Sequence, residues 1–564
     1  MLIYEKYIEK SRDDFKSYED IMENYKVTYN KDFNFAYDVL DELAAAQPDN
    51  LCMLWISNEG EEKRISFSQM AKYANKTANY FKSLGIKKGD FVMLVLKRSY
   101  LFWYCMMALH KIGAVAVQAA HLLTKDDYIY RCNAAGIKMA VITGDNNCTE
   151  SFDQGMSEYE TIELKAVTKG KKAGEGWLDF EAGIEAASDI WVRPTGAEAT
   201  VATDMMIMAF SSGTTGYPKM VSQDYTYPLG HIGTGVFWHR VEKGGLHFTI
   251  SDTGWLKSLW GKMYGQWLGE TAILTYDFEK FNAKDILKVL EKTGVTTFCA
   301  PPTMYRLLMN EDVASYDLSK LKHCNAAGEA LSHDLFTKWH EFTGLNIYEG
   351  FGQSETTVCC GTLYPFTEPR PSAIGKTIPG YDIILVDPDG NIVPTGATGE
   401  MCLKAPSLES RPVGLFMGYY RNEESTKNSW HDGLYHTGDL AYADEQNYFW
   451  YVGRNDDIIK SSGYRIGPFE VESVMVKHPA VAEVAITGVP DPIRGYSVKA
   501  TVVLNKNYEP SDELVKELQD FVKANTAPYK YPRVIEFINE LPKTVNGKIR
   551  RVEIRRRDME KDRG

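Results

Sequence analysis

The chain has 564 residues, of which 44% are hydrophobic, 12% aromatic and 25% charged. At about 150 residues per domain this length predicts three or four packed units, and the composition excludes collagen-like, low-complexity and disordered proteins. The 63 basic and 76 acidic residues give a net charge of −13, which disfavours binding to nucleic acid or to an anionic membrane. The nine cysteines form no CxxC pair, so we predict reduced thiols and neither a disulfide framework nor a zinc site.

The N-terminal residues alternate charged and aromatic side chains and lack the apolar core of a signal peptide, which predicts a cytoplasmic location. The most apolar stretch runs from Leu101 to Leu123. Because Lys111, Gly113 and Gln118 interrupt it, we interpret it as a buried helix followed by a strand and predict no membrane span.

From residue 91 onwards, short apolar runs alternate with helical stretches. The runs lie at 91–96, 114–120, 138–144, 205–210, 271–276 and 296–302. Continuous apolar runs are typical of parallel strands that are covered on both faces. The first part of the chain is therefore predicted to be a large α/β body of two doubly wound subdomains.

The pattern changes after about Gly375 to β-rich pieces with turn signals, such as the Asp389-Gly390 pair that favours a hairpin. The last hundred or so residues contain helical patterns from about Pro468 to Lys477 and from Ser511 to Asn525, with strand patterns between them. We therefore predict a β-rich subdomain followed by a small α+β domain.

A run of hydroxyl and glycine residues follows the predicted strand at 205–210 and ends in a lysine. It comprises Ser211, Ser212, Gly213, Thr214, Thr215, Gly216, Tyr217, Pro218 and Lys219. This composition predicts a phosphate-binding loop, because glycine lets backbone N–H groups approach an anion. It is not a Walker A loop, since Pro218 and Met220 stand where that motif requires Gly and Ser or Thr. A flexible turn without function is the alternative.

The run resembles the SSGTTGxPK motif of the adenylate-forming superfamily, which includes acyl-CoA synthetases, luciferases and nonribosomal adenylation domains. Five further motifs follow in the order of that superfamily, at 328–330, 349–355, 435–439, 453–457 and 541–548. The likeness is greatest to medium-chain acyl-CoA synthetases, at 251–255, 411–416, 461–467, 491–495 and 527–533. The resemblance extends from about residue 35 to 557.

The resemblance implies a set of ATP-binding residues. They are Ser211, Ser212, Gly213, Thr214, Thr215, Gly216, Tyr217, Pro218, Lys219, Gly328, Glu329, Ala330, Glu349, Gly350, Phe351, Gly352, Gln353, Ser354, Asp439, Arg454 and Lys548. The resemblance implies three catalytic residues: Ser354 at an α-phosphate oxygen, Glu355 as the Mg²⁺ ligand, and Lys548 as a positive charge on the α-phosphate. Asp439 is implied to accept hydrogen bonds from the ribose, supported by Arg454.

The resemblance also implies an N-terminal domain at 1–454, a hinge at 455–456 that contains Asp456, and a mobile C-terminal domain at 457–564. Rotation of that domain would withdraw Lys548 and deliver the thiol of CoA. The implied CoA contacts are Ser462, Gly463, Tyr464, Arg494, Tyr529, Lys530 and Tyr531. Arg494 is equally consistent with an ordinary surface residue.

Three residues are assigned to the substrate, namely Trp255, Gly352 and Arg465. AMP-forming acetyl-CoA synthetases usually carry Trp where Gly352 lies, so the glycine predicts an open tunnel for a longer or branched acyl chain. Arg465 is expected to reach the AMP phosphate. Lys262 lies in an apolar, aromatic stretch; we expect it to extend to solvent, and a cation near the acyl tunnel is the alternative.

These observations predict an AMP-forming acyl-CoA synthetase that uses ATP, CoA, Mg²⁺ and a medium-chain or branched carboxylic acid. The alternatives are an aryl-acid or other carboxylic acid CoA ligase with the same mechanism, and a stand-alone adenylation enzyme that loads a carrier protein. A catalytically inactive nucleotide sensor has no need for the whole set of motifs. The sequence leaves the acid and the oligomeric state open, a homodimer included.

Overall fold

The computed structural model describes residues 1–157, 162–169, 174–211, 218–329, 331–461, 464–543 and 549–561. These residues form two compact units. The first contains the described residues up to 382 together with 405–428, and the second contains 383–404 and the described residues from 429 onwards. The β-rich segment thus belongs largely with the C-terminal residues, and the predicted boundary at 454 to 457 falls inside the second unit. The hinge stays a prediction.

The first unit contains fourteen α-helices and sixteen strands among its described residues. The helices are α1 Tyr18–Asn24, α2 Glu42–Ala46, α3 Phe67–Ser83, α4 Leu101–Ile112, α5 Lys125–Ala135, α6 Cys148–Met156, α7 Phe180–Ala186, α8 Tyr227–His231, α9 Lys257–Gly261, α10 Tyr264–Leu268, α11 Ala283–Thr293, α12 Pro302–Leu308, α13 His333–Thr343 and α14 Glu423–Ser429, whose last residue belongs to the second unit. The strands are β1 Leu51–Ser57, β2 Glu62–Ser66, β3 Phe91–Val95, β4 Val115–Gln118, β5 Met139–Thr143, β6 Leu164–Thr168, β7 Trp177–Asp179, β8 Met205–Ser211, β9 Lys219–Asp224, β10 Leu246–Thr249, β11 Ala272–Asp277, β12 Thr297–Ala300, β13 His323–Ala327, β14 Ile347–Gly352, β15 Val358–Gly361 and β16 Lys376–Thr377.

A seven-stranded sheet with the order β7-β6-β5-β3-β4-β8-β9 is parallel except at its last pair, β8 and β9. The predicted alternation from residue 91 is confirmed as β3, α4, β4, α5 and β5. The stretch from Leu101 is helix α4, which is buried along its whole length, followed by strand β4. Gly113 ends α4 with a φ of +86°, a conformation that glycine adopts without strain. Among the described residues no helix is long and apolar enough to cross a bilayer.

A nine-stranded sheet has the order β16-β15-β14-β13-β12-β10-β11-β1-β2. Its six inner strands, from β14 to β1, pair in parallel, whereas β2, β15 and β16 pair antiparallel at the two edges. Both sheets of this unit are therefore the predicted α/β kind. Ligand sites in such sheets lie at the carboxyl ends of the parallel strands, which is where the motif residues after β13 and in β14 lie.

The second unit contains the helices α15 Pro468–Met475, α16 Asp512–Asn525 and α17 Arg551–Lys561, and the strands β17 Ile383–Val386, β18 Gly399–Lys404, β19 Trp430–His431, β20 Leu434–Ala443, β21 Phe449–Arg454, β22 Ile459–Ser461, β23 Tyr464–Ile466, β24 Val481–Asp491, β25 Gly495–Leu504 and β26 Val534–Phe537. One sheet is antiparallel, with β17-β18-β20-β19 in order and β21 on β20. The other has the order β23-β22-β25-β24, with β26 parallel to β25. The predicted turn at Asp389-Gly390 is confirmed, with Gly390 at a φ of +83°.

All nine cysteines are free and buried. Cys359 and Cys360 are not joined despite being adjacent, and the reduced state of the thiols stays a prediction. Eight of the nine lie in the first unit, and Cys402 alone lies in the second.

Candidate active site

The predicted phosphate loop connects the antiparallel strands β8 and β9. Ser211 ends β8 and lies opposite Lys219, which begins β9. Tyr130 donates a hydrogen bond to the carbonyl of Pro218 at 2.8 Å, which fixes the end of the loop. The hairpin pairing therefore presents Lys219 at the edge of the seven-stranded sheet, beside the loop, as the phosphate role requires.

Two further motif segments meet because β13 and β14 are parallel neighbours. Ala326 pairs with Glu349, and Ala327 pairs with Gly350, so the residues after β13 lie beside β14. Gly328 has a φ of +101°, and Glu329 accepts a hydrogen bond from the hydroxyl of Thr303 at 2.6 Å. The Glu349 carboxyl lies in the interior and accepts the N–H of Leu331 at 3.2 Å; burial raises its pKa to about 8. Its side chain therefore supports the segment that follows β13 from inside the protein.

Ser354 and Glu355 follow β14 and are held by distant parts of the first unit. Gln223, in β9, donates a hydrogen bond to the carbonyl of Ser354 at 3.0 Å. Tyr419 donates its hydroxyl hydrogen to Oε1 of Glu355 at 2.9 Å, and Glu355 is only 8% exposed. The ammonium of Lys219 lies over the ring of Tyr419, 4.6 Å from its centre. The structure thus brings Lys219 and Glu355 to one aromatic ring.

Gly352 is closely surrounded. A Cβ atom at this position would lie 2.2 Å from the carbonyl oxygen of Thr357 and 2.7 Å from the ring of Trp260. An indole therefore does lie beside Gly352, but it comes from residue 260, and the open acyl tunnel stays a prediction. Sequence reasoning missed Trp260, which lies two residues before Lys262.

The expectation that Lys262 extends to solvent is also wrong. Its side chain is 1% exposed, and its ammonium donates a hydrogen bond to the carbonyl of Ser251 at 2.8 Å. Burial lowers the pKa of Lys262 to about 7. A second lysine of this segment, Lys257, is half-buried and donates a hydrogen bond to the carbonyl of Ala327, at the end of β13.

Trp255, which the sequence assigns to the substrate, lies just before α9 with its side chain half-buried. The segment that carries it packs against the end of β4. Gln118 in that strand donates a hydrogen bond to the carbonyl of Thr253 at 2.8 Å. Trp255 therefore belongs to the same buried stretch as Trp260 and Lys262.

In the second unit, the predicted ribose carboxylate lies opposite its predicted partner. Asp439 in β20 pairs with Arg454 in β21. The guanidinium donates to Oδ2 of Asp439 at 3.0 Å, and Tyr451 donates its hydroxyl to Oδ1 at 2.9 Å. Arg454 also lies 3.5 Å from the predicted hinge residue Asp456.

Glu400 holds the turn that precedes Asp439. Its Oε1 accepts the N–H of Gly438 at 2.8 Å, and its Oε2 lies 3.2 Å from Nδ1 of His436. The side chains of Glu400, Cys402 and His436 form the one group among the described residues in which three potential metal-ligand atoms lie within 4.8 Å of one another. Burial, and then the charge of Glu400, raise the pKa of the Cys402 thiol. The hydrogen bond from the N–H of Gly438 shows that Glu400 supports the turn.

The described part of the predicted CoA set converges within the second unit. The rings of Tyr464 and Tyr529 stack with centres 4.1 Å apart, and the ammonium of Lys530 lies 5.7 Å from the centre of the Tyr529 ring. Ser461 pairs with Gly495, which brings the loop of Arg494 beside the β22 to β23 hairpin. Tyr531 accepts a hydrogen bond from Arg533. The backbone of Arg465 lies in β23, opposite Lys460.

Several predicted residues lie outside the described residues. They are Ser212, Gly213, Thr214, Thr215, Gly216, Tyr217, Ala330, Ser462, Gly463 and Lys548. Sequence reasoning in turn missed Gln223, Trp260, Glu400, Tyr419 and Tyr451. No spacing signal identifies them, because each acts through a contact with a motif residue elsewhere in the chain.

Comparison with known proteins gives consistent matches over nearly the whole chain. The family described as AMP-binding enzyme matches residues 40–420, and the AMP-binding enzyme C-terminal domain matches residues 470–548. The chain is 39% identical to the acyl-coenzyme A synthetase ACSM3, mitochondrial, of Homo sapiens, over 96% of this chain and 93% of that protein. It is 39% identical to ACSM5, mitochondrial, of Rattus norvegicus, over 93% and 91%. The solved anthranilate CoA ligase AuaEII in complex with anthranoyl-AMP is 27% identical, with a TM-score of 0.86 over 95% of this chain and 99% of that one.

Proposed function

We propose that the substrate of this protein is a medium-chain or branched carboxylic acid. The premise is that the chain belongs to the AMP-binding enzyme family and is an AMP-forming acyl-CoA synthetase. The acid attacks the α-phosphate of ATP to form an acyl-adenylate and diphosphate. The thiol of CoA then displaces AMP to form the thioester. The contacts of Lys219 and Glu355 with the side chain of Tyr419 carry the adenylation part of the proposal, because they put a cation and a hard oxygen donor at one place.

The first half-reaction develops charge on phosphorus, and the protein contributes by neutralising that charge. We propose that Lys219 binds the β- and γ-phosphates, that Ser354 binds an α-phosphate oxygen, and that Lys548 approaches the α-phosphate. Glu355 is the residue that we propose to hold Mg²⁺, because a carboxylate is the donor that this ion prefers. When bound, the ion neutralises phosphate charge. Asp439 holds the ribose in this proposal, with Arg454 and Tyr451 fixing its orientation.

We expect the position of Trp260 to favour a medium-chain or branched acid over a long straight one. Its indole fills the place beside Gly352 that an open tunnel would need. Filling such a place limits the length of the acyl chain, because a pocket rejects a chain that exceeds its volume. A set of straight, branched and aromatic acids from C2 to C10, assayed for diphosphate release and for CoA thioester, tests the proposal. No thioester with any of these acids would contradict it.

An aryl acid is the second candidate. The likeness in fold to an anthranilate CoA ligase supports it, as does the indole of Trp260 beside Gly352, which offers an aromatic contact. The aromatic members of the same set of acids distinguish the two candidates. Loading of a carrier protein is distinguished by detecting a carrier thioester in the absence of a CoA thioester.

The cellular location is a separate proposal. The sequence favours the cytoplasm, whereas the human and rat relatives are named as mitochondrial. Fractionation of the native cell, followed by immunodetection of this chain, decides between them.

A further inference from the structure

Tyr419 contacts both charged residues of the phosphate-binding part of the first unit. Its hydroxyl donates to Oε1 of Glu355 at 2.9 Å, and its ring face lies 4.6 Å below the ammonium of Lys219. Tyr419 itself is 8% exposed. None of the sequence motifs includes this residue.

The backbone around Tyr419 is fixed to β9, the strand that Lys219 begins. Tyr419 bridges to Val221, the N–H of Tyr420 donates to the carbonyl of Met220 at 2.8 Å, and the N–H of Met417 donates to the carbonyl of Ser222 at 2.9 Å. The segment is therefore joined to β9 in the antiparallel sense by an isolated bridge and two backbone hydrogen bonds. Phe416, at the start of this segment, donates its N–H to the carbonyl of Glu355 at 2.8 Å. The position of the Tyr419 ring relative to both charges is thus set by backbone hydrogen bonds.

We propose that Tyr419 is a positioning residue that orients the Glu355 carboxylate and the Lys219 ammonium before the nucleotide binds. The hydroxyl hydrogen bond to Oε1 restrains the orientation of the Glu355 carboxylate. The ring face attracts the ammonium through the negative charge density of its π-system. Groups that are oriented in advance stabilise phosphate charge without reorganising when it develops. This inference rests on the proposed roles of Lys219 and Glu355.

The next residue supplies a matched control. Tyr420 belongs to the same segment, but its side chain has different neighbours from that of Tyr419. Its ring packs 5.2 Å from Phe91 and lies 5.1 Å from the guanidinium of Arg421. Tyr420→Phe therefore removes a hydroxyl from the same segment without touching Lys219 or Glu355.

The experiment measures binding of ATP by titration calorimetry with and without Mg²⁺, for Tyr419→Phe, Tyr419→Leu, Tyr420→Phe, Glu355→Gln and the double variant Tyr419→Phe with Glu355→Gln. Tyr419→Phe is expected to weaken Mg²⁺-dependent binding on the order of tenfold, since a hydrogen bond to a charged group is lost. Tyr419→Leu is expected to weaken it a further threefold or so, because the cation–π contact is lost as well. Tyr420→Phe is expected to bind as the natural protein does.

The double variant separates positioning from a merely structural role. If the hydroxyl acts through Glu355, Tyr419→Phe has no further effect once Glu355 is Gln, and thermal unfolding of the single variant is unchanged. Additive losses, or an unchanged Mg²⁺ dependence in Tyr419→Phe, would overturn the inference. Because binding of ATP is measured without an acid, a failure of the natural protein to form any thioester counts against the proposed function and leaves this test intact.

Discussion

The two units hold their functional side chains through contacts of different reach. In the first unit, Ser354 is supported by a residue 131 positions away in the chain, and Glu355 by one 64 positions away. In the second, Asp439 is held by residues 12 and 15 positions away, on the strand next to its own. In the second unit, the register of two adjacent antiparallel strands is enough to place Asp439 beside its partners. In the first unit, the contacts of Ser354 and Glu355 form only when the residues after β14 pack against β9 and the segment of Tyr419, which lie far away in the chain. Changes to packing should therefore disturb the first site more than the second.

The largest effect is expected from Lys548, which the sequence assigns to the second unit. Lys548→Ala should lower adenylation by about 100-fold or more, as loss of a single charge-stabilising donor does. Conversion of supplied acyl-adenylate to thioester should continue. Separate rates for the two half-reactions check this, and an equal loss in both would contradict the assignment of Lys548 to the first step alone.

A direct comparison of the two sites uses one carboxylate from each. Glu355→Gln is expected to reduce diphosphate release by about 100-fold, because it removes the charge proposed to hold Mg²⁺. Asp439→Asn should mainly raise KM for ATP, by about tenfold, since the amide retains one acceptor oxygen for a ribose hydroxyl. Steady-state kinetics over ATP and Mg²⁺ concentrations measure both. If the two variants changed KM and kcat to the same extent, the proposed difference between the roles of Glu355 and Asp439 would be contradicted.

The acyl part of the first unit is tested by shortening Trp260. Trp260→Leu opens the space beside Gly352, so the ratio of kcat/KM for an eight-carbon acid to that for a four-carbon acid should rise by about tenfold. Gly352→Trp, by contrast, is expected to disrupt folding locally, because even a methyl group there meets the Thr357 carbonyl. An unchanged chain-length profile in a folded Trp260→Leu protein would show that the indole does not limit the substrate.

The smallest effect on activity, and a clear effect on stability, is expected from Lys262. Its folded-state pKa of about 7 lies below the ordinary value of 10.5, so the unfolded chain binds an extra proton between these values. The free energy of unfolding therefore rises as the pH rises from 7 to 10.5, because the folded protein releases the Lys262 proton before the unfolded chain does. Below pH 7 the buried ammonium destabilises the folded protein to its full extent. Lys262→Met should stabilise the protein most at pH 6 and hardly at all near pH 10.5. Urea unfolding at both pH values measures this, and a pH-independent gain would contradict it.

Much of the fold was predictable because its signals are local. The apolar runs became β3, β4 and β5, and Gly113 ended α4 where the pattern changed. The sites were predictable where a motif lies within one segment or on neighbouring strands, as for Asp439 and Arg454. Trp260 and Gly352 are 92 positions apart, and nothing in either segment signals their contact. Lys262 was placed wrongly for a similar reason, since its partner is a backbone carbonyl, which sequence does not distinguish from any other.

The burial of all nine cysteines has a practical consequence. Thiol reagents should modify the folded protein only as fast as it opens, so the rate of modification reports unfolding rather than local chemistry. A single cysteine introduced on an exposed helix face would then accept a fluorescent label selectively, with the native thiols left in place. One label in each unit would allow their relative motion during turnover to be followed by energy transfer in an otherwise natural protein.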